Sequence, residues 1–314
     1  MRVFITGIGG QLGHDMANEL VNRGHECIGS DIHSIYSGIT DGTAATHIPY
    51  VSLDITDAES VYRIIDSIKP DAIVHCAAWT AVDAAEDPRN HEKVHAINVV
   101  GTENIARASK HVDAKMIYLS TDYVFDGQGD RPWKPDDTCF KPLNVYGKSK
   151  LDGEFVVKNI LEKYFIVRIA WVFGINGNNF IKTMLRVGKN HKEVCVVDDQ
   201  IGTPTYTYDL AKLLTDMLET DKYGCYHATN SEAEEGGYIS WYEFCCEIYK
   251  QAGMHTRVIP VSTEEYGLNI AQRPFNSRLD KSKLEESGFV ALPCWQDAVA
   301  RYLTELNNIG EEQS

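Results

Sequence analysis

The chain has 314 residues, of which 43% are hydrophobic, enough for one large α/β domain and a smaller lobe. Its formal net charge of −15 argues against nucleic acid or an anionic membrane as the main partner, because both attract a basic surface. No segment nears the roughly 20 apolar residues of a membrane span, and the first apolar run is too short for a signal peptide. The eight cysteines form no Cys-x-x-Cys pair. We therefore expect a soluble, cytoplasmic protein with reduced thiols and no metal framework.

Short apolar runs alternate with amphipathic stretches over the first 120 residues, which predicts a βαβα pattern. The predicted strands are 3–5, 26–29, 72–76 and 115–119, and the predicted helices are 12–23, 60–68 and 91–109. Because crossovers between parallel strands are right-handed, the pattern predicts a Rossmann-like, doubly wound parallel sheet. The ligand crevice of such an α/β fold lies at the carboxyl ends of the strands.

The second half of the chain continues with mixed elements. We predict helices over 146–163, 208–218, 241–252 and 298–306, and strands over 165–169, 192–197 and 224–228. A turn-rich stretch at 174–179 indicates that a second lobe starts there. The prediction is a first domain over 1–170, with a later return segment near 194–218, and a smaller C-terminal α/β lobe within 171–314. The acidic, glycine-rich stretch 232–237 is expected to be an exposed loop.

A glycine-rich loop directly follows the first predicted strand and opens the first predicted helix. Gly7, Gly10 and Gly13 follow a G-x-x-G-x-x-G spacing, with Gln11 and Leu12 in the same turn. Such glycines let backbone N–H groups at a helix N-terminus approach a pyrophosphate. An α/β protein without a dinucleotide can use the same glycines for a tight turn, but the strand-to-helix context favours NADH or NADPH.

Asp31 ends the second predicted strand, about 24 residues after Gly7. A carboxylate at that place can accept hydrogen bonds from the adenosine ribose, which favours NADH. The 2′-phosphate of NADPH can still be accommodated if the following loop moves or if His33 reaches in. Residues 1–170 are thus predicted to be a dinucleotide-binding domain, and 171–314 to bind mainly the substrate.

Four residues at later strand ends are further candidates for cofactor binding. Asp54 and Ile55 follow a further predicted strand, the third in the chain, which lies between strand 26–29 and helix 60–68, and there they can meet the adenine edge. Ala77 and Ala78 offer small side chains where the backbone must pass close to the cofactor. The alternatives are that Asp54 caps the helix from Asp57 and that the alanines serve packing.

Two Tyr-x-x-x-Lys sequences place a phenol and an ammonium one helical turn apart: Tyr146 with Lys150, and Tyr208 with Lys212. Since the chain has 16 tyrosines, such a match is expected by chance, and only context separates the two. Tyr146 lies about 25 residues after the strand end at Thr121, whereas Tyr208 starts a helix in the later half. We predict that Tyr146 and Lys150 form the functional pair.

The predicted roles of these residues follow from acid–base chemistry. A phenol loses its proton near pH 10, so Tyr146 needs a neighbouring cation to work near neutrality, and Lys150 supplies that charge. Lys150 can also hydrogen-bond the nicotinamide ribose and so position the hydride donor. Thr121 can donate to a substrate carbonyl oxygen and stabilise the developing alkoxide. The alternative role for Thr121 is capping of the strand end.

Longer sequence blocks carry a family resemblance. Blocks 7–13, 77–83, 120–127 and 146–150 resemble the extended short-chain dehydrogenase/reductase family. Blocks 168–174, 179–180, 198–205 and 273–280 are similar, more narrowly, to the dTDP-4-dehydrorhamnose reductase family. The resemblance implies reduction of the 4-keto group of dTDP-4-dehydro-L-rhamnose by NADPH or NADH, giving dTDP-L-rhamnose for surface polysaccharide. It matches Thr121, Tyr146 and Lys150 to the catalytic set.

Further matches to the family concern ligand binding. Asn98 matches an asparagine near the cofactor and the active site, Trp171 matches an aromatic residue on the sugar side, and Asn179 is a further candidate for the substrate site. In so acidic a protein an anionic ligand needs local positive partners, for which Arg168, Arg273 and Arg278 are candidates. Arg273 is expected to meet the diphosphate, with a surface ion pair as its alternative.

The resemblance also shows that the chain lacks a residue that related dehydratases use. Nucleotide-sugar 4,6-dehydratases carry Thr-Asp-Glu at the strand end, and the Glu takes part in water loss, whereas this chain has Thr121-Asp122-Tyr123. Net reduction is therefore favoured, and Asp122 either orients the substrate or caps the turn. Some members place an acidic residue at the position of Asp15 in a subunit-bridging metal site, but no ligand cluster is visible here and no metal is predicted.

Two other functions stay open at this stage. A nucleotide-sugar 4-epimerase would use the same Tyr146 and Lys150 but would retain its NAD through the cycle. A non-catalytic regulatory subunit, like that of methionine adenosyltransferase, would bind the dinucleotide and act on a partner, although the intact catalytic set counts against it. A homodimer is also possible.

Overall fold

The computed structural model describes residues 1–232 and 237–312. Most of the predicted acidic loop at 232–237 therefore lies outside the described residues. The strands, in chain order, are β1 (Arg2–Thr6), β2 (Glu26–Asp31), β3 (Tyr50–Ser52), β4 (Ala72–His75), β5 (Lys115–Thr121), β6 (Tyr164–Ile169), β7 (Val172–Phe173), β8 (Glu193–Val197), β9 (Ile201–Gly202), β10 (Thr205–Tyr206), β11 (Gly224–His227), β12 (Ile239–Ser240) and β13 (Arg257–Val261).

The helices alternate with these strands. They are α1 (Gln11–Asn22), α2 (Ala58–Ile68), α3 (Val82–Ala85), α4 (His91–His95), α5 (Thr102–His111), α6 (Val145–Ile160), α7 (Phe180–Asn190), α8 (Thr207–Leu218), α9 (Trp241–Gln251), α10 (Thr263–Tyr266), α11 (Ser282–Glu286) and α12 (Trp295–Glu312). A π-helical segment, Ala96–Gly101, joins α4 to α5. Where the sequence predicts one helix over 91–109, the structure therefore has three successive helical segments.

A seven-stranded parallel sheet forms the centre of the molecule, in the order β11-β6-β5-β4-β1-β2-β3. Its middle strand β4 is buried along its whole length, as expected of a strand covered by helices on both faces. The strand order reverses between β1 and β4, where a doubly wound sheet opens a crevice at its carboxyl edge. The predicted α/β fold is confirmed.

Apolar side chains fill both faces of the central sheet. One core packs α1 and α8 against the sheet, and it includes Met16, Leu20 and Leu214. The other lies under α2, α5 and α6 and includes Ile65, Ile105 and Val157. Local signals define the helix ends as well: the Asp57 side chain accepts hydrogen bonds from two backbone N–H groups at the start of α2.

A second lobe has its own core, built from α7, α9, α12 and short strands. β8 pairs in parallel with β13, while α8 packs on α1 and β11 joins the central sheet. The chain thus returns to the central sheet through α8 and β11. β8 lies at the start of the return segment predicted near 194–218, but it pairs inside the second lobe. With the return segment shortened by the removal of β8, we propose the division into a dinucleotide-binding domain and a mainly substrate-binding lobe. No helix in the described part of the chain is long and apolar enough to cross a membrane.

Candidate active site

A cleft of about 630 Å³ opens at the carboxyl edge of the central sheet, where the second lobe faces it. The predicted site residues that line it are Gly7, Gly10, Gln11, Leu12, Gly13, Asp31, Asp54, Ile55, Ala77, Ala78, Thr121, Asp122, Tyr146, Lys150 and Trp171. The predicted residues that do not line it are Asn98, Asn179 and Arg273. One cleft therefore unites the glycine loop and the Tyr–Lys pair, which lie about 140 residues apart in the chain.

The glycine loop is so compact that two of its positions have no room for a side chain. Gly7 has a φ of +69°, and a Cβ atom there would lie 2.6 Å from the Ala77 backbone nitrogen. A Cβ atom on Gly13 would lie 2.2 Å from the Gly7 carbonyl oxygen. The first turn of α1 can therefore sit directly against the end of β1, and its residues Gln11, Leu12 and Gly13 line the cleft. These residues fit the pyrophosphate of a dinucleotide.

Two carboxylates lie at the ends of β2 and β3. Asp31 accepts hydrogen bonds from the backbone N–H groups of Gly9, at 3.1 Å, and Ile32, at 2.8 Å. Asp54 accepts from the backbone and the hydroxyl of Thr56. The cap of α2 is Asp57, so Asp54 does not take the capping role that was its alternative. Both carboxylates belong to the half of the cleft where an adenosine would bind.

Asn98 lies behind the cleft wall, on the π-helical segment, and is almost fully buried. Its side chain accepts from the Trp79 N–H at 2.8 Å and donates to the Trp79 carbonyl at 3.1 Å and to the Ser149 hydroxyl at 2.8 Å. Asn98 thus joins the stretch that follows Ala77 and Ala78 to helix α6. In this structure it supports the cleft wall and does not form part of its surface.

Thr121 and Asp122 stand at the end of β5. The Thr121 hydroxyl accepts from the Tyr123 N–H at 3.2 Å and donates to the Asp122 carboxylate at 3.0 Å. Thr121 therefore does cap the turn, as its alternative reading has it, and it also lines the cleft. Burial raises the pKa of Asp122 to about 6, and the hydroxyls of Ser277 and Thr121 oppose that rise.

Helix α6 carries the Tyr–Lys pair. The Asn144 side chain caps the helix by accepting from the Gly147 N–H at 2.7 Å, so Tyr146 falls in the first turn at the mouth of the cleft. Burial and the negative charge of Asp122 raise the pKa of the Tyr146 phenol, and a hydrogen bond with Thr121 opposes them. Tyr146 is therefore fully protonated at neutral pH, as a proton donor must be.

Lys150 lies one turn further along α6 and is only 4% exposed. Burial lowers its pKa to about 7, while the charges of Glu154 and Cys76 oppose the shift. Its ammonium group lies 4.2 Å from the centre of the Tyr118 ring, and the Tyr118 hydroxyl donates to the Lys150 carbonyl at 3.1 Å. Tyr118 thus provides a platform that holds the lysine beside the cleft.

Two tryptophans form the wall contributed by the second lobe. Trp171 has a φ of +51°, and its ring stacks on Trp241 with centroids 3.9 Å apart. Sequence reasoning missed Trp241 as a cleft residue. Ser240 and Glu243 form a capping box that starts α9 at Trp241, but this signal marks only the start of the helix. A flat aromatic wall of this kind is suited to the face of a sugar or a base.

Asn179 and Arg273 lie outside the cleft surface. Asn179 caps α7 and donates to Gln11, Gly174 and Tyr302, so it joins α1 to the second lobe. Arg273 pairs with Asp83 at 2.7 Å, the ion pair that was its alternative reading. A ligand role for either residue stays a prediction.

Arg168 is not available to an anionic ligand. Its guanidinium is fully buried and forms two hydrogen bonds with Glu154, at 2.8 and 2.7 Å, and a third with the Pro135 carbonyl. Sequence alone could not pair it, because its partner carboxylate belongs to another element. Arg168 therefore anchors α6 to β6, and the expectation of an anion partner there was wrong.

Asp15 lies on α1, buried between the two lobes. Burial, with smaller effects of the charges of Glu305, Asp41 and Asp209, raises the pKa of Asp15 to about 8, against a hydrogen bond from Thr207. Within residues 1–232 and 237–312, no group of three or more His, Cys, Asp or Glu side chains is arranged to hold a metal ion.

The parallel sheet, the glycine loop after β1 and the Tyr–Lys helix at the same edge define a protein of the extended short-chain dehydrogenase/reductase class. Comparison with known proteins narrows this. A family model described as the RmlD substrate binding domain matches residues 1–308. The chain belongs to that family, that of the dTDP-4-dehydrorhamnose reductases.

Named relatives cover nearly the whole chain. A dTDP-4-dehydrorhamnose reductase of Aggregatibacter actinomycetemcomitans is 37% identical over 311 residues, 95% of this chain and 97% of the relative. The spore coat polysaccharide biosynthesis protein SpsK of Bacillus subtilis is 36% identical over 304 residues, 97% of each chain.

Solved structures agree with the sequence relatives. The dTDP-4-dehydrorhamnose reductase of Bacillus anthracis in complex with NADP is 39% identical and superimposes with a TM-score of 0.85, over 97% of this chain and 99% of that one. The ortholog from Clostridium acetobutylicum has a TM-score of 0.87 at 37% identity, over 98% and 100% of the two chains.

Proposed function

We propose that this protein is an NAD(P)H-dependent oxidoreductase that reduces the 4-keto group of dTDP-4-dehydro-L-rhamnose to give dTDP-L-rhamnose. The observation that carries the proposal is the meeting of the glycine loop with Thr121, Tyr146 and Lys150 in one cleft. A hydride donor and an acid are needed at the same carbonyl, and this cleft has room and residues for both. The named relatives support the choice of substrate.

The residues of this chain account for the proton half of the reaction. The bound dinucleotide supplies a hydride to C4 of the sugar. When the sugar binds, the Thr121 hydroxyl turns its one hydrogen from Asp122 to the carbonyl oxygen, and Tyr146 delivers its proton as the alkoxide forms. Because burial leaves the resulting phenolate poorly solvated, the charge of Lys150 is needed beside it. Asp122, whose pKa is about 6, adds a negative charge that keeps Tyr146 protonated before transfer.

The positions of further residues that line the cleft support binding roles in this proposal. The loop from Gly7 to Gly13 would hold the pyrophosphate, and Asp31 the adenosine ribose. The Trp171 ring would face the sugar, stacked as it is on Trp241. The product would enter the synthesis of surface polysaccharide, as the name of the spore coat polysaccharide biosynthesis protein SpsK suggests. A cytoplasmic location and a homodimer remain predictions.

The experiment is to follow NADH and NADPH consumption with freshly generated dTDP-4-dehydro-L-rhamnose and to identify the product by NMR. Coenzyme oxidation that depends on the sugar and yields dTDP-L-rhamnose is expected. Tight dinucleotide binding without oxidation, in the presence of a substrate of proven activity, would contradict the proposal. It would favour a 4-epimerase, which would retain NAD on purification, or a dinucleotide-binding regulatory subunit.

A further inference from the structure

We propose that Asp83 is a positioning residue, which fixes the guanidinium of Arg273 so that its unpaired edge binds an anionic phosphate group of the sugar nucleotide. The inference rests on the proposed function and deepens it. Block 77–83 carries part of the family resemblance, but the proposed reaction gives no role to its last residue.

Asp83 binds one loop of the second lobe through its carboxylate. Oδ1 accepts from the backbone N–H groups of Ile270, at 3.2 Å, and Ala271, at 2.9 Å. The Arg273 guanidinium donates two further hydrogen bonds, from Nη1 to Oδ1 at 2.9 Å and from Nη2 to Oδ2 at 2.7 Å. Arg273 lowers the pKa of Asp83, so the carboxylate stays ionised. Four hydrogen bonds to one side chain from the first domain thus hold a loop that lies about 190 residues away in the chain.

The pairing leaves Arg273 with a free edge. Nη1 also donates to the Ala271 carbonyl at 2.8 Å, so both of its hydrogens are engaged. Within residues 1–232 and 237–312, Nε has no hydrogen-bond partner, and Nη2 bonds only Asp83. The Nε and Nη2 hydrogens together form a planar fork, the geometry that binds two oxygens of a phosphate.

Arg273 lies next to the cleft although it does not line it. Its positive charge lowers the pKa of the Tyr123 phenol, against the dominant effect of burial, so the two groups are close. Tyr123 lines the cleft and meets Tyr146 edge to face, with ring centroids 5.9 Å apart. Only the Tyr123 side chain therefore separates Arg273 from the proton donor.

The same loop is also attached to the catalytic helix. Asn144 caps α6 by accepting from the Gly147 N–H through Oδ1, and its Nδ2 group donates a hydrogen bond to the Gln272 carbonyl at 2.9 Å. The loop is thus held between Asp83 on one side and the start of α6 on the other. A side chain fixed on both sides loses little entropy when it binds a ligand, and this favours affinity for the substrate.

Asp83→Ala tests the proposal, because it removes all four hydrogen bonds. We expect the KM for the sugar nucleotide to rise about tenfold or more, with kcat within about threefold of the wild type and dinucleotide affinity unchanged. Asp87→Ala is the matched control, since Asp87 also caps a turn and pairs with an arginine, Arg89, but is outside the loop. Its KM should not change.

The direction of the change in KM distinguishes two roles of Asp83: holding Arg273 in place and neutralising its charge. If Asp83 only neutralised Arg273, its removal would make the site more positive and would lower KM, which would overturn the proposal. A double-mutant cycle adds a second readout: Asp83→Ala should add little to the KM of Arg273→Gln if it acts through that side chain. Fully additive effects would contradict it.

Calorimetric titration of the full chain with dTDP alone separates the two proposals. Weaker dTDP binding by both Asp83→Ala and Arg273→Gln, and not by Asp87→Ala, is expected even if the sugar is not reduced. If the wild type reduces the sugar and the three variants bind dTDP as the wild type does, the inference about Asp83 fails while the proposed function stands. Circular dichroism melting verifies that each variant is folded.

Discussion

The two Tyr-x-x-x-Lys sequences lie in opposite environments. In the first, Lys150 is 4% exposed, and its ammonium lies over the ring of Tyr118, outside the motif. In the second, Tyr208 is 43% exposed, and Lys212 lies 4.1 Å from the centre of the Tyr208 ring itself. The second lysine is thus engaged with its own tyrosine, and the first is not.

The difference shows that a Tyr-x-x-x-Lys sequence is not sufficient to make its tyrosine an acid catalyst. Tyr146 begins a helix at the carboxyl edge of the parallel sheet, where Thr121 and Lys150 converge with the glycine loop in one cleft. Burial there shifts the pKa of both partners and removes the competing water. At the surface of α8, solvent screens the charge of the exposed Lys212.

The largest expected effect comes from Tyr146→Phe. Loss of the proton donor should lower turnover by about 10²- to 10⁴-fold, while dinucleotide binding stays largely intact. Steady-state kinetics and a fluorescence titration with NADH measure the two quantities.

The matched control for that experiment is Tyr208→Phe, which removes the corresponding hydroxyl from the exposed pair. Its turnover should equal that of the wild type. If Tyr146→Phe retained full turnover, or if Tyr208→Phe lost it, the contrast between the two environments would be wrong as an account of the activity.

Sequence order was enough to predict which of the two pairs lines the cleft, because the relevant signals are local. The glycine loop, Asp31 at a strand end and the Tyr–Lys spacing each depend on a few neighbouring residues. Trp241 could not be placed in the cleft in the same way. Its ring reaches Trp171 because β12 pairs with β9, and that pairing is a tertiary contact.

The charged partners show the same limit. Arg168 and Arg273 are both arginines near family blocks, and sequence treats them alike. The structure buries one against Glu154 and pairs the other with Asp83, about 190 residues away. Long-range ion pairs depend on how elements pack, so no local pattern could separate these two side chains.

The next effect concerns pH. Because the pKa of Lys150 is lowered to about 7, its charge is present below that pH and is lost above it, while Tyr146 stays protonated throughout. We expect kcat/KM, which reports the free enzyme, to fall as the pH rises through about 7. Measuring kcat/KM from pH 5.5 to 9.5 tests for this descending limb of the pH profile.

Two variants sharpen the pH result. Lys150→Arg carries a permanent charge, so its residual activity should lose the limb near pH 7, whereas Lys212→Arg should keep it. A wild-type profile that is flat to pH 9 would mean that Lys150 does not control the reaction through its charge.

A smaller effect is expected from Asp31→Ala, which leaves both Tyr–Lys pairs intact. The KM for NADH should rise about tenfold, as for a lost hydrogen bond to a charged group, and the KM for NADPH should rise less. Since Asp31 also holds the Gly9 N–H, a loosened loop would affect both coenzymes alike, and the ratio of the two KM values isolates the contact with the ribose. Equal losses would mean that Asp31 does not read the ribose.

The smallest effect is expected at the exposed pair itself. Lys212→Met should lower the free energy of unfolding by about 0.5–1 kcal/mol, the usual size of a solvent-exposed cation–π contact, and leave turnover unchanged. Urea unfolding of Lys212→Met, Tyr208→Leu and the double variant gives the coupling energy between the two side chains. A change in turnover with normal stability would show that α8 communicates with the cleft, and the two pairs would then differ in degree and not in kind.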